Sequence, residues 1–368
     1  MTNHPGPPGP LHHLVEGPLA EGPADPPGRS PGPPGPSPGP PADPVPGAPD
    51  PDPPPPGPPV GERSPDEGVA PAAVHSPSTH DSTTYDLSTH DPTTYNPTTH
   101  DPTHDPSTQS PSTHRPGSGA PGGRVVLVHG FTQTLRSWEP VAARLAARWQ
   151  VVRVDLPGHG GSGGVRVGFG EAARLLGEAG GVGVYVGYSM GGRLCLRLAL
   201  DRPDLVGGLV LIGASPGIAD PGDRAGRRAD DEALAGRIER EGVAAFLERW
   251  LAGPLFATLP AEAAGRDERL ANTTEGLASA LRRLGTGVQE PLWDRLATVA
   301  PPTLLVAGAL DAKFAAIAGE MAAAIGPAAR VVLVPGAGHA VHLERPADLA
   351  ALVEEFLTTT LGGRPADG

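Results

Sequence analysis

The sequence predicts an α/β fold: a mostly parallel sheet with helices on both faces, a helical cap, and a long N-terminal tail without a core. Three observations carry this. Short β-branched runs alternate with helical patterns from Arg124 onward, as strands joined by crossover helices do. The alternation stops at about 219–297, where the text is helical and charged, and resumes at Thr303. About 35 of the 49 prolines lie before Gly122, and such a composition cannot bury enough apolar surface to fold.

Residues 1–122 therefore read as a disordered tail. Pro-Gly-Pro-Pro clusters run to Pro59 and favour extended polyproline backbone. From Ser78 a degenerate ten-residue repeat follows: Ser78-Thr79-His80-Asp81, Ser88-Thr89-His90-Asp91, Thr98-Thr99-His100-Asp101, with Tyr85 and Tyr95 in the same period. It has no apolar face to stack as a solenoid. Its histidines and aspartates allow loose metal binding, but a low-complexity tract expanded by repetition explains them better. A chain beginning near Gly122 is expected to fold and turn over like the whole.

The folded domain is expected over 123–364. Val125-Val126-Leu127-Val128 is a buried-strand run that ends in His129-Gly130-Phe131. Apolar spacing predicts a helix over 137–147, a strand over 149–155 and a helix over 169–178. The strand 149–155 runs into Leu156-Pro157-Gly158-His159-Gly160-Gly161-Ser162. A central strand ends at Tyr188 and a helix covers 192–200. The strand 205–212 precedes the cap, which carries Trp250 and Phe256. Strands return at 303–307 and 330–334 around a helix over 314–325, and a last helix covers 347–361. A helical interruption between parallel strands sits over their carboxyl ends, where open α/β sheets bind ligands.

The formal charge of -13 is concentrated in the tail, where Arg29, Arg63 and Arg115 face about 14 acidic residues. No basic surface argues for nucleic acid, and no cationic amphipathic stretch or long apolar run argues for a membrane anchor. The N-terminus lacks the regions of a signal peptide, so a cytoplasmic enzyme is expected. The single Cys195 falls inside a helix and reads as a small core residue. No cofactor and no metal are expected. Oligomeric state is not legible.

The chemistry centres on Gly187-Tyr188-Ser189-Met190-Gly191. With a strand before it and a helix after it, G-x-S-x-G is a nucleophile elbow, a sharp turn that exposes the serine. A serine hydroxyl needs a base, and the base an orienting carboxylate. Asp311 and His339 follow later strands, in the chain order Ser, Asp, His of α/β-hydrolases. Each sits in a loop after a strand, so the three converge on one sheet edge. The backbone amides of Phe131 and Met190 are the expected oxyanion hole. His129 and His159 read as loop braces.

The cations add a second signal. Lys313 is the only lysine; every other cation is arginine. In so arginine-biased a chain, one lysine two residues after Asp311 suits a position needing a compact point charge, and a neutral survivor is the alternative. Arg193 lies in the first turn of the elbow helix, where a cation opposes the dipole. That suits an anionic ligand, or a salt bridge to a cap carboxylate.

These motifs resemble the MenH family of menaquinone biosynthesis, α/β-hydrolase-fold enzymes named 2-succinyl-6-hydroxy-2,4-cyclohexadiene-1-carboxylate synthases. The resemblance rests on Val186-Gly187-Tyr188-Ser189-Met190-Gly191-Gly192-Arg193, on Val154 to Ser162 and on Asp311-Ala312-Lys313-Phe314. It covers the chain from Arg124 onward. It implies a lyase that eliminates pyruvate from 2-succinyl-5-enolpyruvyl-6-hydroxy-3-cyclohexene-1-carboxylate, a small tricarboxylate. Ser189, with His339 and Asp311, would take the proton beside the ketone, and no acyl-enzyme is required. It implies that Arg193, Lys313, Arg227 and Arg269 meet the carboxylates and that Trp250 and Tyr188 line the pocket. Ala309 stands where the family often has glutamate, and Ala340 and Val341 replace more polar residues. No counterpart is visible of the antiparallel strands that often precede the first parallel one, so one sheet edge is expected to be short. A serine hydrolase, either a carboxylesterase or a C–C bond hydrolase, is the competing reading; it needs at most one anion site.

Overall fold

The computed structural model describes residues 9–17 and 122–362. Their seven strands form one sheet in the order β1-β3-β2-β4-β5-β6-β7. Strands β2 (Gly122–Val128), β3 (Trp149–Val154), β4 (Gly183–Tyr188), β5 (Val206–Ile212), β6 (Thr303–Gly308) and β7 (Ala329–Val334) are parallel. The inner strands β3, β4 and β6 are buried along their whole length; β4 and β6 accordingly read as nearly continuous apolar runs, whereas β3 also buries Gln150 and Arg153.

The first strand corrects two expectations. His13–Glu16 forms β1 and pairs antiparallel with β3, in register His13 to Val154 and Glu16 to Val151. The chain from 9 to 17 is thus part of the domain, and an antiparallel strand, though a short one, does precede the first parallel strand at that sheet edge. Leu11 is buried against the core beside it, and Arg153 pairs with Glu16 at 2.5 Å. Two physical facts hid this strand. Its own side chains are mostly exposed, so it has no alternation of apolar and polar residues. It also lies about a hundred residues ahead of β2, far beyond ordinary connection lengths. The expected disorder of the rest of 1–122, and the His/Asp repeat, lie outside the described residues.

Helices α1 (Glu139–Leu145), the short α8 (Val341–Glu344) and α9 (Pro346–Gly362) pack on one face of the sheet. Helices α2 (Phe169–Gly180), α3 (Met190–Asp201) and α7 (Ala312–Ile325) pack on the other. The predicted helix over 137–147 begins as a 3-10 turn, Leu135–Trp138, because Pro140 fits only a helix start. The cap holds α4 (Pro221–Leu251), the short α5 (Arg266–Arg269) and α6 (Thr274–Leu284). Helix α4 breaks at Gly242 (φ 76°, ψ 166°), a backbone conformation open to glycine. Ile238, Phe246, Leu247, Leu277 and Leu281 give the cap its own small core.

Candidate active site

Ser189 sits between β4 and α3 with φ 48° and ψ -110°. A non-glycine residue held there is strained, and its neighbours explain how the strain persists. A Cβ on Gly191 would lie 2.4 Å from the Val128 carbonyl oxygen, and one on Gly187 would lie 2.6 Å from Gly192 Cα. Only glycines let strand, turn and helix approach so closely. The turn projects Ser189 beyond the carboxyl end of β4.

His339 lies in the loop after β7. Its Nε2 is 3.4 Å from Ser189 Oγ, and its Nδ1 is 2.8 Å from Asp311 Oδ2. Asp311 caps α7, where its Oδ1 accepts the Phe314 N–H at 3.2 Å. The helix N-terminus thereby supports the carboxylate. The Phe314 and Tyr188 rings flank the imidazole at 4.5 and 5.3 Å. Glu344, which the sequence reading missed, holds both sides of the loop: it accepts from Gly338 N–H at 2.7 Å and from Ala340 N–H at 2.9 Å. The only sequence signal for it is an acid five residues after His339.

The amide of Met190 begins α3, where helix geometry gives it no intrahelical partner. Phe131 is fixed by its neighbours. Gly130 N–H donates to Gln133 Oε1 at 3.1 Å, and Thr132 N–H donates to His159 Nε2 at 3.2 Å. Among the described residues neither the Phe131 nor the Met190 N–H has a hydrogen-bond partner. His129 accepts the Leu156 N–H at 3.0 Å. Burial holds both His129 and His159 below the ordinary histidine range, His159 down to about 3. Neutral, fully buried rings that accept backbone N–H groups are the loop braces the sequence predicted.

A cavity of about 170 Å³ lies between these groups and the cap. Its wall includes Ser189, His339, Phe131 and Met190 from the sheet edge, and Arg193, Arg227, Trp250 and Lys313 around them. Arg193 is buried, and burial, then the charge of Arg227, push its guanidinium down to about 9. It donates to Gln289 Oε1 at 2.8 Å and to the Leu284 carbonyl at 3.0 Å. Arg227 donates to Asp231 at 2.8 Å. Lys313 has no carboxylate within ion-pair distance among the described residues, and its Nζ lies 5.8 Å from the Phe314 ring centre. Trp250 meets Phe131 edge-on at 5.6 Å.

Two predicted pocket residues lie elsewhere. Arg269 is buried behind the Phe131 loop, where it bonds the Ala264 carbonyl at 2.7 Å and the Thr132 hydroxyl. Tyr188 is buried with its ring 4.2 Å from that of His342. Neither reaches the cavity wall. The sequence placed each near the site correctly, but burial direction is not legible from neighbours in the chain. Among the described residues there is no cluster of metal-ligating side chains, and no helix is long and apolar enough to cross a membrane.

The sequence profile of the Alpha/beta hydrolase family matches residues 125–352. A Bacillus subtilis (strain 168) protein, provisionally named a 2-succinyl-6-hydroxy-2,4-cyclohexadiene-1-carboxylate synthase, is 36% identical over 64% of this chain and 90% of its own length. The synthase of the same name from Salmonella paratyphi B is 34% identical over 63% of this chain and 93% of its own. Among solved structures, MenH from S. aureus matches with a TM-score of 0.61 and 31% identity, over 65% of this chain and 94% of that one.

Proposed function

The chain belongs to the alpha/beta hydrolase family and, within it, to the MenH family, and from that premise we propose that it eliminates pyruvate from 2-succinyl-5-enolpyruvyl-6-hydroxy-3-cyclohexene-1-carboxylate. The observation that carries the reading is one cavity that joins the Ser189–His339–Asp311 row to three cations, Arg193, Arg227 and Lys313. A substrate with three carboxylates uses such a wall. A small ester does not.

In this reading His339, oriented by Asp311, draws the proton from Ser189 Oγ as that oxygen removes the proton beside the succinyl ketone. The ketone oxygen becomes an enolate oxygen, which the unpartnered N–H groups of Phe131 and Met190 receive. The electron pair then expels the enolpyruvyl oxygen, the ring gains its second double bond, and the leaving enolpyruvate takes up the proton that His339 received and becomes pyruvate. Ser189 forms no bond to carbon. Arg193, Arg227 and Lys313 hold carboxylates by charge-assisted contacts. Arg269 and Tyr188 support the loop and the imidazole from behind and do not touch substrate.

The strained Ser189 beside a histidine also suits acyl transfer, so hydrolysis of a small ester or a C–C bond is the second reading. Incubation with the enolpyruvyl substrate separates the two. Pyruvate should be released at a rate proportional to enzyme, with little turnover of a nitrophenyl ester. Rapid ester turnover without pyruvate release would reverse the assignment.

A further inference from the structure

We propose that Gln289 keeps Arg193 held but electrically uncommitted, and that this makes the inner end of the cavity a seat for one substrate carboxylate. The identity of the substrate rests on the tricarboxylate reading above; the anion seat itself can be read without turnover.

Arg193 reaches from the first turn of α3 toward the cap. It is only 6% exposed, and its partners are neutral. Nη1 donates to Gln289 Oε1, and Nη2 to the Leu284 carbonyl at the carboxyl end of α6. A buried cation needs compensation. An amide oxygen and the negative end of a helix dipole supply part of it. The remainder is open on the cavity side, where Arg193 forms part of the wall.

Arg227 shows the other arrangement. Its guanidinium is already paired with Asp231, which also accepts the Gly287 N–H at 3.3 Å. The charged groups that bear on Arg193 are Arg227, which opposes its charge, and Asp231, which favours it and is itself committed to Arg227. Arg193 and Lys313 are therefore the cavity cations without a carboxylate of their own among the described residues.

The choice of an amide at 289 bears on this directly. Gln289 is fully buried, and its Nε2 has no hydrogen-bond partner. As a mere brace for a guanidinium, glutamate would serve better: it offers two acceptor oxygens and leaves no donor stranded. It would also form a buried ion pair and satisfy Arg193 before any ligand arrived. The position carries the unsatisfied donor and stays neutral, which is what an anion seat requires. Gln289 is thus a positioning residue that acts through Arg193.

The test pairs Gln289→Glu with Gln289→Met. Thermal melting is followed with and without succinate, a simple dicarboxylate, and steady-state pyruvate release is measured alongside. Succinate should raise the Tm of the wild-type protein. Gln289→Glu should lose most of that rise, and its KM should increase about tenfold or more with kcat changed far less. Gln289→Met, which leaves Arg193 charged, should keep at least about half of the succinate effect. A hydrogen-bond brace predicts the opposite order, since glutamate keeps the acceptor and methionine has none. That opposite order, or no stabilisation of the wild type by succinate, overturns the proposal. If Gln289→Glu does not fold, Gln289→Met alone decides: a retained succinate effect supports the seat and a lost one removes it. Should the wild type release no pyruvate while the succinate series behaves as stated, the lyase reading falls and the anion seat stands.

Discussion

Leu11→Ala tests whether a segment inside the proline-rich N-terminal stretch belongs to the domain. Leu11 is 2% exposed and joins the core cluster that includes Val152, Val154 and Leu156. Truncating a buried leucine costs about 2–5 kcal/mol, and a site at the sheet edge, which relaxes easily, belongs at the low end, about 2 kcal/mol. For a domain of this size each kcal/mol moves Tm by about 2–4 °C, so a fall of about 4–8 °C is expected. Val15, on the neighbouring strand β1 but 44% exposed, is the control; Val15→Ala should move Tm by about 1 °C or less. The assay is thermal unfolding by circular dichroism on the full chain. Equal, negligible shifts for both variants would mean that β1 does not dock. The same reasoning predicts that a chain beginning at Gly122 melts lower than the whole, against the expectation from composition.

The remaining predictions address the site. Replacing Arg193, Arg227 or Lys313 by methionine should each cost about 2–4 kcal/mol in kcat/KM; Lys313→Met should leave Tm little changed, whereas Arg193→Met and Arg227→Met should also lower it, since they strand the buried Gln289 Oε1 and Asp231. Arg269→Met should lower Tm, because Arg269 ties the Phe131 loop to the cap. Glu344→Gln leaves one oxygen for two N–H donors, so kcat should fall about tenfold while KM holds, measured by pyruvate release. Stability should fall as pH drops below about 6.5, seen as a declining Tm: His159 titrates near 6.5 when unfolded but at about 3 when folded, so the unfolded chain binds more protons throughout that window. His129 and His342, also lowered by burial, add to the same slope, and a Tm flat from pH 7 to 5 would contradict it.

Much of the domain is legible in the sequence because its strands are buried on both faces. Val125 to Val128 and Leu304 to Val306 read as strands for the same reason that they are fully covered. Ser189, Asp311 and His339 are legible because loops after parallel strands share one sheet edge, so chain order alone brings them together. What is not legible depends on direction or distance. β1 is a short edge strand with exposed side chains, and nothing local distinguishes it from its surroundings. Arg269 and Arg193 are both arginines near the site, yet one turns behind the Phe131 loop and the other forms part of the cavity wall. Gln289 and Glu344 have no motif, since each acts only through a residue distant in the chain or a backbone amide.

The last prediction concerns what Ser189 does, because loss of activity cannot reveal it. An isolated serine hydroxyl is a weak base at neutral pH, so proton removal and nucleophilic attack both need His339 and Asp311. Ser189→Ala should cost roughly 10³-fold or more in kcat under either mechanism. The two differ in covalency and in which bond to hydrogen breaks. Deuterium at the ring carbon beside the ketone should slow pyruvate release when proton removal limits the rate. Mass spectrometry of enzyme quenched during turnover should find Ser189 unmodified. The Ser189–His339 separation of 3.4 Å is long for a hydrogen bond, as such contacts often are without a ligand, so it favours neither mechanism. A substrate-derived adduct on Ser189 that forms and decays at the turnover rate would end the general-base reading. The cations around the cavity would then have to be explained as recognition of an anionic ester.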